Sequence, residues 1–143
     1  MASAVLYTPE VLALATSLAD HGWDKALPLK GSGRSRSCGS TLELGLSLDG
    51  QGRIDRVALT SHACAIGQAA AAIFARGAPG CTASDIRAAH RAMRDWLSGK
   101  ANVPNWPGLA AIAPARDYPG RHSAILLAWQ AAEEALFSND PRG

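Results

Sequence analysis

No stretch of this sequence approaches the roughly 20 apolar residues needed to cross a bilayer. The longest unbroken run, residues 69–75, is far too short, so a helical membrane protein is excluded. The opening MASAVLYTPEV lacks the basic region and apolar block of a secretory leader, and the expected location is cytoplasmic. An excess of one charge is also missing. A formal net charge of +2 gives no reason to expect nucleic acid or a membrane surface as the main partner. Cysteine is scarce, with three in the chain and no CxxC or compact zinc signature among them. In a cytoplasmic setting they are thiols, ligands or core residues rather than a disulfide framework. There is no GxSxG elbow, and nothing orients His62 beside Cys64 as a catalytic base, so hydrolase chemistry is set aside. Internal repeats and low-complexity tracts are absent.

What remains is ordinary globular material. The 143 residues fit a single domain spanning 1–143, with 48% hydrophobic and 18% charged residues, enough to build a core.

Residues 8–21 read as a helix, with Thr8 as cap, Pro9 at its first position and an apolar stripe through Val11, Leu12, Leu14, Ala15 and Leu18. The small, polar GSGRSRS at 31–37 is either a loop or a short edge strand. Residues 41–48 alternate with period two, which puts Leu42, Leu44, Leu46 and Leu48 on one face of a half-buried strand. The turn DGQG follows at 49–52, and 54–61 is a second strand, giving an antiparallel hairpin. Helices are expected over 66–76, from Thr82 to about residue 97, and over 120–137, with one short turn at 109–112 and a frayed end at 138–143. Strands early and helices late predict an α+β domain, a small antiparallel sheet with helices packed on one face.

Cys38 lies where the polar stretch meets the first clear strand, with Gly39 beside it to permit close approach of a ligand. Cys64 lies where the second strand gives way to a helix. A thiol there feels the positive end of the helix dipole, which favours the metal-binding thiolate. The hairpin between the two cysteines brings both to one edge of the sheet. A lone buried cysteine is more often an inert small hydrophobe, and Cys81, in a loop before Thr82, is read that way. His90 and His21 are expected on solvated helix surfaces, and Trp129 and Leu127 in the core. Arg34 and Arg36 either dock an acidic partner or belong to a solvated loop.

These motifs resemble the U-type scaffolds of iron–sulfur cluster assembly, the family of IscU, SufU and the N-terminal domain of NifU. Cys38-Gly39 resembles the first family motif, CGD. Cys64-Ala65-Ile66 before a small-residue helix resembles the second, GCAIS-x-AS. The stretch Pro119-Gly120-Arg121-His122-Ser123-Ala124-Ile125-Leu126-Leu127-Ala128-Trp129 resembles the third, P-x-R-x-x-C-A-x-L-A-W. The long stretch between the second and third motifs is similar to the insertion of the SufU branch. Three departures stand out. Ala124 takes the place of the third cysteine, Ser40 that of the aspartate, and the LPPVK chaperone motif is absent, with Pro114-Ala115-Arg116-Asp117-Tyr118 in that region.

The resemblance implies a SufE/NifU-like architecture and a scaffold rather than an enzyme. It would bind iron or a transient iron–sulfur cluster, [2Fe–2S] among the types, accept sulfur at Cys64 or Cys38 from a cysteine desulfurase, and pass the product to recipient apo-proteins, as a monomer or weak dimer. Zinc is the alternative metal, held in a sulfur-transfer partner of the desulfurase. A degenerate interaction module without a cluster is the third reading. Only Cys38 and Cys64 carry over as ligands. The candidates to replace the missing ones are His122, provided the last helix starts after it, and His62, which would share a strand face with residue 64. Ser40 would be a weak substitute. Gly39 and Arg121 are supporting residues, Arg121 holding a backbone carbonyl, helping to position sulfur or forming a salt bridge at the helix start.

Overall fold

The computed structural model describes residues 6–36 and 39–137. The chain opens with α1 (Pro9–Ser17), where the Thr8 hydroxyl accepts the Val11 N–H at 3.1 Å and Pro9 occupies the first turn. The expected single helix tightens into a 3₁₀ turn at Leu18–His21, and Gly22 ends it. Three strands follow, β1 (Leu29–Arg34), β2 (Thr41–Leu48) and β3 (Ile54–His62), paired antiparallel in the order β1-β2-β3.

The alternation read from the sequence holds over most of β2. Leu42, Leu44 and Leu46 are buried, with Leu44 opposite Leu59 and Leu46 opposite Val57. Leu48 departs from it. The register with β3 shifts between Ser47 and Leu48, and Leu48 is left 40% exposed. An extra residue at an irregularity breaks the period-two rule locally. The DGQG turn is held by Asp49, whose Oδ1 accepts the N–H groups of Gln51 at 2.8 Å and Arg53 at 3.0 Å.

The helices are α2 (Ala65–Gly77), α3 (Ala83–Leu97) and α4 (His122–Phe137), with 3₁₀ segments at Leu109–Asp117 and Pro119–Arg121. The 3₁₀ segment at Leu109–Asp117 outruns the single turn expected there. A full capping box starts α3: Asp85 N–H donates to Thr82 Oγ1 at 3.1 Å, and Thr82 N–H to Asp85 Oδ2 at 3.0 Å.

α4 lies across β1 and β2 on their inner face, α2 meets β3 there, and α3 packs on α4. The glycines of the 31–37 stretch explain why it is a strand. Gly31 and Gly33 pair with Leu44 and Leu42, so they share the inner face. A Cβ on Gly31 would run into the Ala131 carbonyl of α4, so the bare backbone lets the helix lie directly on the sheet. On the outer face, Leu27 and the Asp24 carbonyl cover Gly45, and Asp24 pairs with Arg56 at 3.3 Å.

The core centres on Phe74, Trp106 and Trp129. Phe74 stacks on Trp106 with centroids 5.5 Å apart, and Trp129 meets both edge-on at 5.3 Å. Trp106 Nε1–H donates to the Ile73 carbonyl at 3.0 Å. His90, expected in solvent, is instead tucked between α3 and α4. Its Nδ1 pairs with Glu133 at 2.9 Å and its side chain is only 12% exposed. The carboxylate on the neighbouring helix draws the imidazole in, a partner invisible to the pattern of α3 alone.

Candidate functional site

Strand pairing carries the two cysteine motifs toward one end of the sheet. Thr41 pairs with His62 at the last rung of β2 and β3. On the β1 side, the Ser35 N–H donates to the Ser40 carbonyl at 2.8 Å and the Gly39 N–H to the Ser35 carbonyl at 3.2 Å. Gly39 has φ +72°, in the left-handed region where glycine carries no steric penalty. These bonds hold Ser35 against Gly39 and Ser40. Cys38 itself lies outside the described residues.

Cys64 is the N-cap of α2, with extended backbone at φ −65° and ψ 169°. Its carbonyl accepts the Gln68 N–H at 3.0 Å, and the Gln68 side-chain amide donates to the Ala63 carbonyl at 3.0 Å. The thiol makes no capping bond. It is half-buried, resting against the edge of the core.

The third motif closes onto the same place. Ala124 is 2% exposed. A Cβ built on Gly67 would lie 3.4 Å from the Ala124 methyl and 2.8 Å from that of Ala63. Gly67 is therefore the residue that lets α4 approach the first turn of α2. Beside it, the Ser35 and Ser123 hydroxyls meet at 2.6 Å. That bond ties the loop before Cys38 to the residue before Ala124. Ser35 and Ser40 are buried at 2% and 4% exposure. Sequence reasoning missed the Ser35–Ser123 bridge, for two serines so far apart carry no local signal.

The two histidines stand differently. His122 is the first residue of α4, so the helix includes it rather than starting after it. Two positions on a helix leave its side chain roughly 200° round from that of Ala124. Its Nε2 lies 2.8 Å from the Arg116 carbonyl. A carbonyl only accepts, so Nε2 carries a proton and makes a hydrogen bond of the kind that orients metal-binding histidines. His62 is exposed on the outer face, lining a cleft of about 680 Å³ with Arg34, Arg36 and Thr41. β3 ends at His62, so the face-sharing argument does not extend to Cys64. Arg121 is half-buried in the 3₁₀ segment before α4, its backbone N–H donating to the Tyr118 carbonyl at 2.9 Å. Among the described residues its side chain has no ion pair.

Cys81 lies elsewhere, its Sγ 3.5 Å from the Gly77 carbonyl, and Ile54 N–H donates to its carbonyl. Burial pushes this thiol up, the nearby Asp85 adds to the effect, and Arg53 opposes it. It is a packing residue. Among the described residues no three His, Cys, Asp or Glu side chains cluster as a metal site, and no helix is long and apolar enough to cross a membrane.

No family model matches this chain, and no curated protein matches it. Solved structures do. A NifU-like protein, N-terminal part, from Brucella abortus is 30% identical, with a TM-score of 0.83 over 91% of each chain. An iron–sulfur cluster assembly scaffold protein for the SUF system, from thermophilic Fervidobacterium islandicum AW-1, is 25% identical. Its TM-score is 0.82 over 94% of this chain and 99% of that one. A third, described only as a hypothetical protein, is 18% identical with a TM-score of 0.68 over 88% of this chain and 96% of that one, and shares the fold.

Proposed function

Because the chain belongs to the family of NifU N-terminal domains and SufU iron–sulfur scaffolds, we propose that it works as an iron–sulfur cluster assembly scaffold. In this reading Cys64 and Cys38 receive persulfide sulfur from a cysteine desulfurase, an external thiol or electron donor supplies the two electrons that reduce it to sulfide, and the thiolates hold iron and sulfide until a recipient apo-protein takes them. The cluster is cargo, and the protein's share is ligation and shielding rather than turnover.

The observation that carries this reading is the meeting of three motif segments at one end of the sheet. Ser35 bonds Ser123, Gly67 admits Ala124, and Cys64 caps α2 with a thiol that no capping bond engages. The donor set is lean. An alanine methyl can neither ligate metal nor accept sulfur, so two thiolates remain, and His122, which α4 includes and turns roughly 200° from Ala124, is a candidate nitrogen donor only if the helix start rearranges. Mixed cysteine and histidine ligation of iron–sulfur clusters is chemically sound, and the same donors suit zinc. His62 and Ser40 are further candidates, and Gly39 and Arg121 support the loop and the helix start.

The test is anaerobic incubation with a cysteine desulfurase, cysteine and ferrous iron, followed by visible spectra and metal analysis. Sulfide-to-iron charge-transfer bands are expected, and they should vanish in Cys38→Ala and in Cys64→Ala. His122→Ala then reports whether the imidazole serves as a third ligand, with His62→Ala as its counterpart. Stoichiometric zinc without bands would move the reading to zinc-dependent sulfur transfer. Absence of both metals would sink the scaffold reading.

A further inference from the structure

β1 is an edge strand, and β2 satisfies only one side of its backbone. Among the described residues, nothing outside β2 bonds the backbone of Leu29–Arg34. Such an edge is a template for another strand unless it is covered or charged. α4 covers the inner face of β1, and on the outer face Leu27 and the Asp24 carbonyl cover Gly45 while Trp23 borders a hollow with Lys30, Gly31 and Ser32. What is left open is the cleft at the end of the sheet, bordered by Gln130 of α4 and by the outward residues of the strands.

The cleft is net basic at its Arg34 end, while farther along β1 Lys30 and Ser32 share a hollow with Glu43 and Glu134. Arg34 and Arg36 line the cleft against a single carboxylate, Glu43. Neither arginine has an ion pair among the described residues. Two guanidiniums alone would discourage edge-to-edge pairing between copies of the same basic strand. Together with a cleft along the unpaired backbone, they select a guest of opposite charge.

We propose that an extended acidic segment of a partner protein adds to β1 as a fourth strand. Its backbone pairs with the free edge of Leu29–Arg34, and its carboxylates meet Arg34 and Arg36. Strand addition takes affinity from main-chain bonds and specificity from alternate side chains. Ser32 and Arg34 both line the cleft, so guest carboxylates at every second position run alongside them. Arginine stays charged at any working pH and offers a planar fork to each carboxylate. Leu29–Arg34 contains none of the metal-ligand candidates, and His62, which borders the same cleft, is kept unchanged in every variant of the test, so loss of strand addition and loss of metal binding are read separately.

The probe is a fluorescein-labelled octapeptide alternating aspartate with valine, titrated into the full, metal-free chain. Anisotropy reads binding, and amide hydrogen exchange reads β1. Saturable binding with slowed exchange across Leu29–Arg34 is expected. The double variant Arg34→Glu, Arg36→Glu should bind at least about tenfold more weakly, as loss of opposed charge at an interface does. Methylating the peptide's alternate amides should abolish binding. That control leaves the protein unaltered, so a misfolded arginine variant cannot imitate it. The proposal fails if no saturable binding is seen or if the methylated peptide binds as well. It also fails if a single-stranded oligonucleotide binds through the same arginines while β1 exchange stays fast, which would mark a charge patch rather than a strand site.

Discussion

A methyl group stands at position 124, buried against Gly67 and Ala63 at the first turn of α2. On the scaffold reading, a sulfur there adds a third donor near the first turn of α2. Ala124→Cys should therefore lengthen the time for which a reconstituted cluster survives a chelator, measured as decay of the visible bands. An unchanged decay would mean that residue 124 points away from the site. Two carboxylates elsewhere contribute to acid sensitivity. Asp49 is held below its ordinary 3.8 by the N–H groups of Arg53 and Gln51. Asp85 is held below the same value by the Thr82 backbone and hydroxyl. Both are depressed in the folded state, so their stabilisation is present above the unfolded value and is lost as pH falls through the folded one. Urea midpoints should therefore drop as pH falls below the ordinary aspartate value of 3.8. The double variant Asp49→Asn, Asp85→Asn should give a shallower slope.

Among the elements, β1 depends on having no side chain where α4 crosses it. Gly31→Ala places a methyl against the Ala131 carbonyl and should cost about 1–3 kcal/mol, the usual range for overpacking, measured by urea unfolding. Thr82→Ala removes the α3 cap and should cost about 1 kcal/mol in the same assay. These two sites also divide what the sequence revealed from what it hid. The α3 cap, the leucine alternation of β2 and the DGQG turn are local patterns, and all were legible. β1 was not decidable, because glycines carry no period and the helix covering them is distant in the chain. Leu48 escaped through a register shift, and His90 through a partner on another helix. In the site, Cys64 at the start of α2 was readable from the change of period. The Ser35–Ser123 bridge and the inclusion of His122 in α4 were not, for both depend on how the last helix docks.

Over the whole molecule, one aromatic cluster links α2, the segment before the 3₁₀ turn and α4. Trp129 is fully buried against Phe74 and Trp106. Trp129→Ala should destabilise the fold by about 3–5 kcal/mol, and by loosening α4 it should also weaken metal retention at the far end of that helix. A calorimetric loss without any change in retention would separate the core from the site. The hydroxyl bridge between Ser35 and Ser123 joins positions 88 apart in the chain. A ribosome delivers the chain in one direction, at roughly 5–20 residues per second. Ser35 and the hairpin therefore emerge several seconds before Ser123 and the helix that carries it. During that interval the edge of the hairpin lacks its later fastening, and the order of synthesis sets a period of looseness that the finished fold no longer shows.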